Sequence, residues 1–340
     1  MSTNEREISI PVDLADAVGH RLNDDARGWS RRPLHTANLR GHWGRNKKWD
    51  YWAVLADGFV VSGVYANVDY LGLADVWWCD HSTGRTGGGG LFLPGGGGLR
   101  LPSMSGRAPL HVSRKGFRID INDDAHGNTV ITASWREKDS SSGTLSMVME
   151  LPEGHESVNV VIPWSDRRFQ FTTKHQARPV RGSMTIGDRT VSLDDAWGVV
   201  DIGRGRWPYS TRWNWGGGAG RASSGAVIGI QIGGRWTAGT GFTENGVLVD
   251  GVLHKIGREL VWDYDWDDPM RPWHVMDPDG QIDITLTPVF DKHSKTNALV
   301  LRTETHQVFG SWSGFVVDDD GVRHELEGLR GFAEESRSRW

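Results

Sequence analysis

The sequence predicts an all-β protein made of two antiparallel β-barrels that pack side by side, with few short helices. Three observations lead to this prediction. Short apolar runs recur about every 8 to 12 residues between turn residues, which is typical of barrels and sandwiches. Glycine occurs 45 times in 340 residues, against a usual share of about 7%, and favours turns over long helices. Tryptophan occurs 18 times, and indole walls suit barrels that enclose a ligand cavity.

The first half of the chain contains one helix-like segment followed by strand patterns. In residues 12–22 apolar side chains recur near a 3.6-residue period, which predicts a short helix. Residues 58–70 predict one long or bent strand. Residues 117–122 and 129–135 alternate polar and apolar side chains around a turn, which predicts a hairpin. Segment 84–98 contains two runs of four glycines without a phosphate-binding motif, which predicts a flexible loop.

The second half repeats the strand pattern. Residues 246–256 predict a hairpin around Asp250-Gly251, the strongest short hairpin signal in the chain. Long helices do not alternate with strands, which argues against a doubly wound α/β sheet. The strand pattern breaks near residue 165, so we predict an N-terminal barrel-like domain over residues 1–172 and a C-terminal one over residues 173–340.

Charge and cysteine content limit the partners and the compartment. The formal net charge is −5 and the isoelectric point is near 6.2, so the basic footprint of a nucleic-acid-binding protein is missing. Cys79 is the only cysteine, which fits a reducing compartment. The first ten residues lack the apolar core of a signal peptide, and no stretch approaches the roughly 18 apolar residues of a membrane span. We therefore expect a cytoplasmic protein without a nucleic-acid or membrane partner, of unspecified oligomeric state.

The densest group of candidate functional residues lies between residues 194 and 218. Its members are Trp197, Asp201, Arg204, Trp207, Tyr209, Trp213, Asn214 and Trp215. Polar groups buried among indoles must be paired or used chemically. Two interpretations stay open: a structural corner in which Asp201 pairs with Arg204 or Arg206, and a ligand site. Strand alternation places the indoles of Trp213 and Trp215 on one face and the amide of Asn214 on the other.

Glu244 is a second candidate. It stands between Thr243 and Asn245 without an adjacent lysine or arginine. If this carboxyl group faces an apolar cavity, its pKa rises and it can act as a general acid; the alternative is a role in the turn before the hairpin. His175 lies near the predicted domain boundary and could change its protonation near neutral pH, although a lone histidine is more often structural.

Further candidates are His306, which can share a strand face with Glu304, and Trp273, which precedes His274. The 13 histidines are scattered without zinc-binding spacing, and cysteine pairs are missing. We therefore expect no metal site and no cofactor.

Tryptophan-centred motifs resemble a known family. They are residues 47–52, 201–215, 243–245, 272–274 and 331–335 together with Trp340. Over nearly the whole chain they resemble the DUF2804 family of mostly bacterial proteins. In addition, residues 179–182, Trp197-Gly198 and residues 213–215 are similar to the second-half pattern of the carotenoid 1,2-hydratase and AttH group. That group is lipocalin-like, so the similarity implies two calycin-type barrels side by side.

Three functions stay open at this point. The favoured one is an acid/base enzyme of the hydratase, cyclase or isomerase type, acting on a neutral, largely apolar small molecule. Asp201 or Glu244 would be its general acid, and Arg204 or Tyr209 would orient that acid. The alternatives are a carbohydrate-active enzyme with two carboxylates and a non-catalytic lipocalin-like binding protein. The carboxylates that keep the carbohydrate-active alternative open are Asp201, Glu244, Asp263, Asp265, Asp267 and Glu334. The expected ligand-binding residues are Trp197, Trp207, Trp213, Asn214, Trp215, Asn245, Trp273 and His306, with His175 as a further catalytic candidate.

Overall fold

A computed structural model describes residues 3–104, 109–298 and 301–340. The strands of the first part of the chain are β1 (Val12–Asp13), β2 (Trp29–Ser30), β3 (His35–Thr36), β4 (Asn46–Ala56), β5 (Phe59–Asn67), β6 (Leu71–Asp80), β7 (Arg85–Pro94), β8 (Leu110–Arg114), β9 (Phe117–Asp123), β10 (Thr129–Arg136), β11 (Ser142–Met149), β12 (Val158–Ser165), β13 (Arg168–Ile186), β14 (Arg189–Ser192) and β15 (Ala196–Arg206). The helical content of the described residues is a single 3₁₀ turn, Asp24–Ala26.

The strands of the second part are β16 (Ser210–Arg221), β17 (Val227–Gly234), β18 (Asn245–Val249), β19 (Val252–Ile256), β20 (Val261–Asp263), β21 (Trp273–Met276), β22 (Ile282–Ala298), β23 (Leu301–Val317) and β24 (Arg323–Arg339). They form a nine-stranded antiparallel sheet in the order β19-β18-β17-β16-β24-β23-β22-β21-β20. The first part forms a 13-stranded sheet whose main path is β7-β6-β5-β4-β15-β13-β11-β10-β9-β8. The prediction of an all-β protein with two barrel-like sheets is confirmed.

The first sheet curls into a nearly closed barrel. Apolar side chains from its strands, among them Trp52, Ile119 and Met147, pack inside it. The carboxylate of Glu137 ties the edge strand β7 to the far side of the sheet. It accepts hydrogen bonds from the indole nitrogens of Trp78 and Trp135, both at 2.7 Å, and from the backbone N–H of Gly88 at 2.9 Å.

The second sheet forms a half-barrel with its own core. Trp273 and Trp312 are fully buried there with isoleucines such as Ile230 and Ile284. On its other face this sheet packs against the first one. Trp215, Phe309 and Phe332 of the second sheet meet buried residues of the first, including Val199 and Leu55. Strands β4, β13 and β15 therefore have two buried faces, one inside the barrel and one between the sheets.

The change from one sheet to the other falls between Arg206 and Ser210. The domain boundary at residues 172 and 173 stays a prediction, and that position lies inside the long strand β13. This strand bends at a bulge between His175 and Arg178, where Ala177 has a φ of 56°. On one edge, β13 pairs with β15 on both sides of this bulge. On its other edge, β13 pairs with β12 before the bulge and with β11 after it.

Both local hairpin predictions are confirmed. Strands β9 and β10 pair with Ile121 opposite Ile131, and strands β18 and β19 pair around Asp250-Gly251. The predicted helix over residues 12–22 is wrong. This segment instead runs beside residues 34–36, with Val12 N–H donating to Leu34 O and Leu14 N–H to Thr36 O. Its apolar residues pack with Phe169 rather than along one helix face.

The glycine-rich segment 84–98 is not a flexible loop, since it contains strand β7. Its glycines are required by neighbouring indoles. A Cβ atom on Gly87 would lie 2.6 Å from Trp78 Cζ2, and one on Gly89 would lie 2.7 Å from Trp135 Cβ. The sequence pattern could not show that these glycines are packed in a strand, because the two tryptophans that contact them lie on other strands.

Transmembrane helices form no part of the fold: within the described ranges, the structure contains no helix that could cross a lipid bilayer.

Replacing Gly89 with alanine should lower the free energy of unfolding by about 1–3 kcal/mol, because the added methyl group overpacks against Trp135. Urea denaturation would measure this change. Thr86→Ala, an exposed position on the same strand, is the matched control and should stay close to wild type. Equal stability of both variants would contradict an ordered, packed β7.

Candidate functional site

A cavity of about 380 Å³ lies between the two sheets. Its walls are largely indole rings, contributed by Trp49, Trp207, Trp213, Trp215, Trp236 and Trp340. Aliphatic side chains of β5 and β6, such as Val64 and Leu73, complete the apolar surface. The ionisable groups on this wall are Lys174, Asp201, Glu244, Lys292 and Glu334, with Tyr51.

Trp207 is the centre of the indole cluster. The ring centroids of Trp49, Trp164, Trp213, Trp236 and Trp340 lie between 4.9 and 5.7 Å from its own. Its indole nitrogen donates to Gln170 Oε1 at 2.8 Å. The residue follows β15 directly, so it stands where the chain passes from the first sheet to the second. Aromatic pairs at these distances are attractive, so the rings of this cluster stabilise one another at one end of the cavity.

Lys174 holds two carboxylates together on the cavity wall. Its Nζ lies 3.1 Å from Asp201 Oδ2 and 3.4 Å from Glu244 Oε2, and 4.2 Å from the centre of the Trp215 ring. Asp201 also accepts hydrogen bonds from Trp49 Nε1 at 3.1 Å and Thr172 Oγ1 at 3.2 Å. Burial lowers the pKa of Lys174, but the carboxylates of Asp201 and Glu244 outweigh burial, so the pKa of this ammonium is raised.

Glu244 is 1% exposed and accepts a hydrogen bond from Trp236 Nε1 at 2.8 Å. Burial raises its pKa to about 7, although the charge of Lys174 favours the ionised form. A raised pKa is the behaviour predicted for Glu244 if its carboxyl group faces an apolar cavity. The structure places Glu244 at that cavity, immediately before β18.

Glu334, on strand β24, is the other carboxyl group of the cavity lining whose pKa is raised. Trp213 Nε1 donates to its Oε1 at 2.7 Å. Burial raises its pKa to about 7, against the opposing effects of that hydrogen bond and of Lys174 and Lys292. With 8% of its surface exposed, it is more accessible than Glu244. Glu334 therefore combines a protonatable carboxyl group, a fixed orientation and access to the cavity.

Lys292 lies on the same wall. Its Nζ is 4.3 Å from the centre of the Trp77 ring and donates to Ser62 Oγ at 3.2 Å. Burial lowers its pKa, with Asp75 and Glu334 acting in the opposite direction.

Arg204 does not reach Asp201, its predicted neighbour in the site. The two residues are three positions apart on the regular strand β15, so their side chains point to opposite faces. Arg204 is fully buried on the barrel side, where its Nη2 lies 2.6 Å from Asp50 Oδ1 and its Nη1 donates to Trp49 O at 2.8 Å. Its glycine neighbours do not break the strand pairing.

Tyr209 and Trp197 lie outside the cavity lining. Tyr209 is 53% exposed, in the link between β15 and β16. Trp197 is half-buried on β15, opposite Leu55 and Pro179. Neither is positioned to orient a carboxyl group of the cavity.

Trp213 and Trp215 face the cavity while Asn214 faces the other way, as strand alternation predicts. Asn214 Nδ2 donates to the Tyr264 hydroxyl at 3.0 Å in the half-barrel. Trp273 stacks on the same Tyr264 ring at 4.0 Å and is completely buried. Asn245 accepts from Gly233 N–H at 2.6 Å. The contacts of Asn214, Trp273 and Asn245 hold the second sheet together.

His175 lines a different cavity. This space, about 650 Å³, lies on the barrel side of the first sheet and is also lined by Asp50, Trp52 and Arg178. Burial lowers the pKa of His175 well below its usual value, so the ring is neutral at physiological pH. His175 and Asp201 therefore serve separate spaces although they lie on paired strands.

His306 lies on β23, facing away from the indole cavity. Its Nδ1 is 2.7 Å from Asp291 Oδ2. A ligand atom of His306 lies within 4.8 Å of ligand atoms of His293 and Glu304. The sequence showed no metal-binding spacing because His293 meets Glu304 and His306 only across the β22–β23 pair.

Several residues of the cavity were not singled out as site residues from the sequence. They are Lys174, Glu334, Lys292, Trp49, Trp236 and Trp340. Each reaches the cavity through strand pairing or chain return over a long sequence distance; Glu334 and Trp213, for example, are 121 positions apart. The sequence signal for these residues was weak. Glu334 was one of the carboxylates that kept the carbohydrate-active alternative open, Glu334 and Trp340 belong to the C-terminal motif, and Trp49 belongs to the motif at residues 47–52.

The family profile described as "Domain of unknown function (DUF2804)" matches residues 5–340. The chain belongs to the DUF2804 family. No protein of curated function matches this DUF2804 chain in sequence.

Solved structures with a similar fold support the lipocalin-like prediction for the DUF2804 chain. A Nitrosomonas europaea protein described as AttH aligns with a TM-score of 0.50 at 11% identity, covering 86% of this chain and 92% of its own. Kievitone hydratase from Nectria haematococca aligns with a TM-score of 0.52 at 9% identity, covering 87% and 89%. The predicted arrangement of two lipocalin-like sheets side by side is confirmed, with the second as a half-barrel.

Replacing Glu334 with glutamine should make the stability of the DUF2804 protein less dependent on pH. A carboxyl group with a pKa near 7 when folded and about 4.5 when unfolded binds more protons in the folded state. Its contribution to stability is therefore complete below about pH 4.5 and is lost as pH rises through 7. At pH 8 the variant should be more stable than wild type by up to about 3 kcal/mol.

Urea denaturation at pH 5 and pH 8 would measure that difference. Glu325→Gln, on the exposed part of the same strand, is the control and should follow the wild-type curve. A Glu334→Gln variant whose stability changes with pH as steeply as wild type would show that Glu334 is not buried as described.

Proposed function

We propose that this DUF2804 protein is an acid/base enzyme of the hydratase, cyclase or isomerase type. It acts on a neutral, largely apolar small molecule bound between the two sheets. The observation that carries this proposal is that two carboxyl groups with pKa values near 7, Glu244 and Glu334, line one indole-walled cavity. A group that titrates near neutral pH can both give and take a proton under cellular conditions.

The charge arrangement supports a neutral ligand. Lys174 is paired with Asp201 and Glu244, and Asp201 accepts two further hydrogen bonds. These three ionic groups satisfy one another, and the other ammonium group of the wall, Lys292, interacts electrostatically with Asp75 and Glu334, so a charged ligand would find no free counter-ion there. The remaining wall is mostly indole and aliphatic surface, which favours an apolar or polycyclic molecule.

Glu334 is the best-placed general acid. In its protonated form it donates a proton to a carbon–carbon double bond of the substrate, and indole faces stabilise the cationic carbon that forms. The resulting carboxylate then removes a proton from the water that adds, or from a neighbouring carbon. The first course gives hydration and the second isomerisation, and both return Glu334 to its starting state. Trp213 holds the carboxyl group in place through its 2.7 Å hydrogen bond.

Asp201, Lys174 and Glu244 form the polar boundary of the cavity. The general-acid role that the sequence suggested for Asp201 or Glu244 fits Glu334 better, because Lys174 contacts both of the former. A protein of the same fold carries the name kievitone hydratase, so this fold is compatible with hydration chemistry.

The carbohydrate-active alternative finds less support. Glycoside hydrolysis needs two carboxylates on opposite sides of the scissile bond. Asp201 and Glu244 instead converge on one ammonium group. A non-catalytic binding protein would use the same cavity, but it would not need a protonatable carboxyl group at Glu334.

Glu334→Gln should lower kcat by about 10²- to 10⁴-fold while ligand affinity changes little, because the amide keeps the shape but cannot give a proton. The wild-type rate should be highest below about pH 7 and fall tenfold per pH unit above it, since the protonated acid is required. Glu325→Gln should retain the wild-type rate. A Glu334→Gln enzyme with an unchanged rate would reject the assignment.

Native mass spectrometry of the protein purified from its own host should reveal a retained neutral small molecule, of terpenoid or polyketide type. Incubating that complex in D₂O should then label the molecule, because Glu334 exchanges its proton with solvent and passes it to the ligand. Isomerisation would add deuterium, and hydration would add the elements of D₂O. A retained glycan would favour the carbohydrate-active enzyme. A retained apolar ligand that stays unlabelled would favour a binding protein.

A further inference from the structure

A group of histidine and carboxylate side chains lies on the second sheet, on the face opposite to the indole cavity. Lys292 and Gln307 face that cavity. Their strand neighbours His293 and His306 alternate with them and therefore face the other way. The two histidines are a directly opposed cross-strand pair, and their rings stack with centroids 4.2 Å apart and 3° between the planes.

Glu304 completes the group. Its Oε1 lies 3.2 Å from His293 Nε2, and ligand atoms of His293, Glu304 and His306 all lie within 4.8 Å of one another. Two imidazole nitrogens with one carboxylate oxygen form a ligand set that binds Zn²⁺ in proteins and leaves a position for water.

His306 is held in a fixed orientation by two neighbours. Its Nδ1 lies 2.7 Å from Asp291 Oδ2, which leaves Nε2 as the nitrogen that can bind a metal. Trp266 packs against the same ring at 4.6 Å, with the planes nearly perpendicular. A carboxylate bonded to the second ring nitrogen is the usual way in which proteins orient a metal-binding histidine.

We propose that His293, Glu304 and His306 bind one divalent transition-metal ion, with Zn²⁺ as the preferred ion, and that Asp291 positions His306 for this role. The site is separate from the indole cavity, and this proposal is independent of the proposed enzymatic function.

The surrounding charges are compatible with a cation. Lys295 lies 3.0 Å from Glu304 Oε1, but 53% of its side chain is exposed, so a metal ion can displace it into solvent at little cost. Arg337 is held by Glu335 at 2.8 Å and by the Trp266 ring. The side chains of His293 and Glu304 are 44% and 22% exposed, so they can adjust their distances to His306, which lie within 4.8 Å, to the spacing that a bound ion requires.

The test is isothermal titration calorimetry of ZnCl₂ into the untagged, chelator-treated full-length protein. We expect saturable binding of one ion per chain. His293→Ala and His306→Ala should each reduce affinity at least about 100-fold, and Asp291→Asn about 10- to 100-fold.

His274→Ala is the matched control. His274 lies on the same sheet with its Nε2 2.7 Å from Asp283 Oδ1, and its loss should leave zinc affinity unchanged. Near-ultraviolet circular dichroism checks that each variant is folded; the exposed position of His293 keeps the test decisive if His306→Ala is unstable. Failure of wild type to bind one ion, or equal binding by His293→Ala, would overturn the proposal.

Discussion

The buried ammonium group of Lys174 joins the two halves of this protein. It lies between Asp201 of the first sheet and Glu244 of the second, and above the Trp215 ring. A buried charge is tolerated only when it is paired, so removing Lys174 would leave uncompensated carboxylate charge between the sheets. The relative position of the two sheets, and with it the cavity between them, depends on this contact.

The tryptophans have two roles at that interface. Their rings exclude water, which raises the pKa of Glu244 and of Glu334 to about 7. Their N–H groups also donate to the same carboxyl groups, from Trp236 and Trp213, and so fix the carboxyl orientation. The tryptophan side chain combines a large apolar surface with a single hydrogen-bond donor. This combination explains why many indoles line a site that contains few polar groups.

The central strands of the first sheet are buried on both faces. On β15, Asp201 faces the second sheet while Arg204 faces the barrel interior, where it meets Asp50. Residues that are close in sequence thus serve different spaces. Density of polar and aromatic residues in a short segment identified the region of the site, but alternation along the strand decided which of them share a cavity.

The amino-acid sequence by itself determined the all-β class, the hairpins over residues 117–135 and 246–256 and the importance of the segment around Trp207, because alternation and turn chemistry act over a few residues. Only the tertiary structure decided that Lys174 meets Asp201 and Glu244, that Trp213 meets Glu334 from 121 positions away, and that glycines 87 to 90 form a strand under the indoles of other strands. These contacts follow from strand order and register, which are set by packing of the whole chain and leave no local pattern in the sequence.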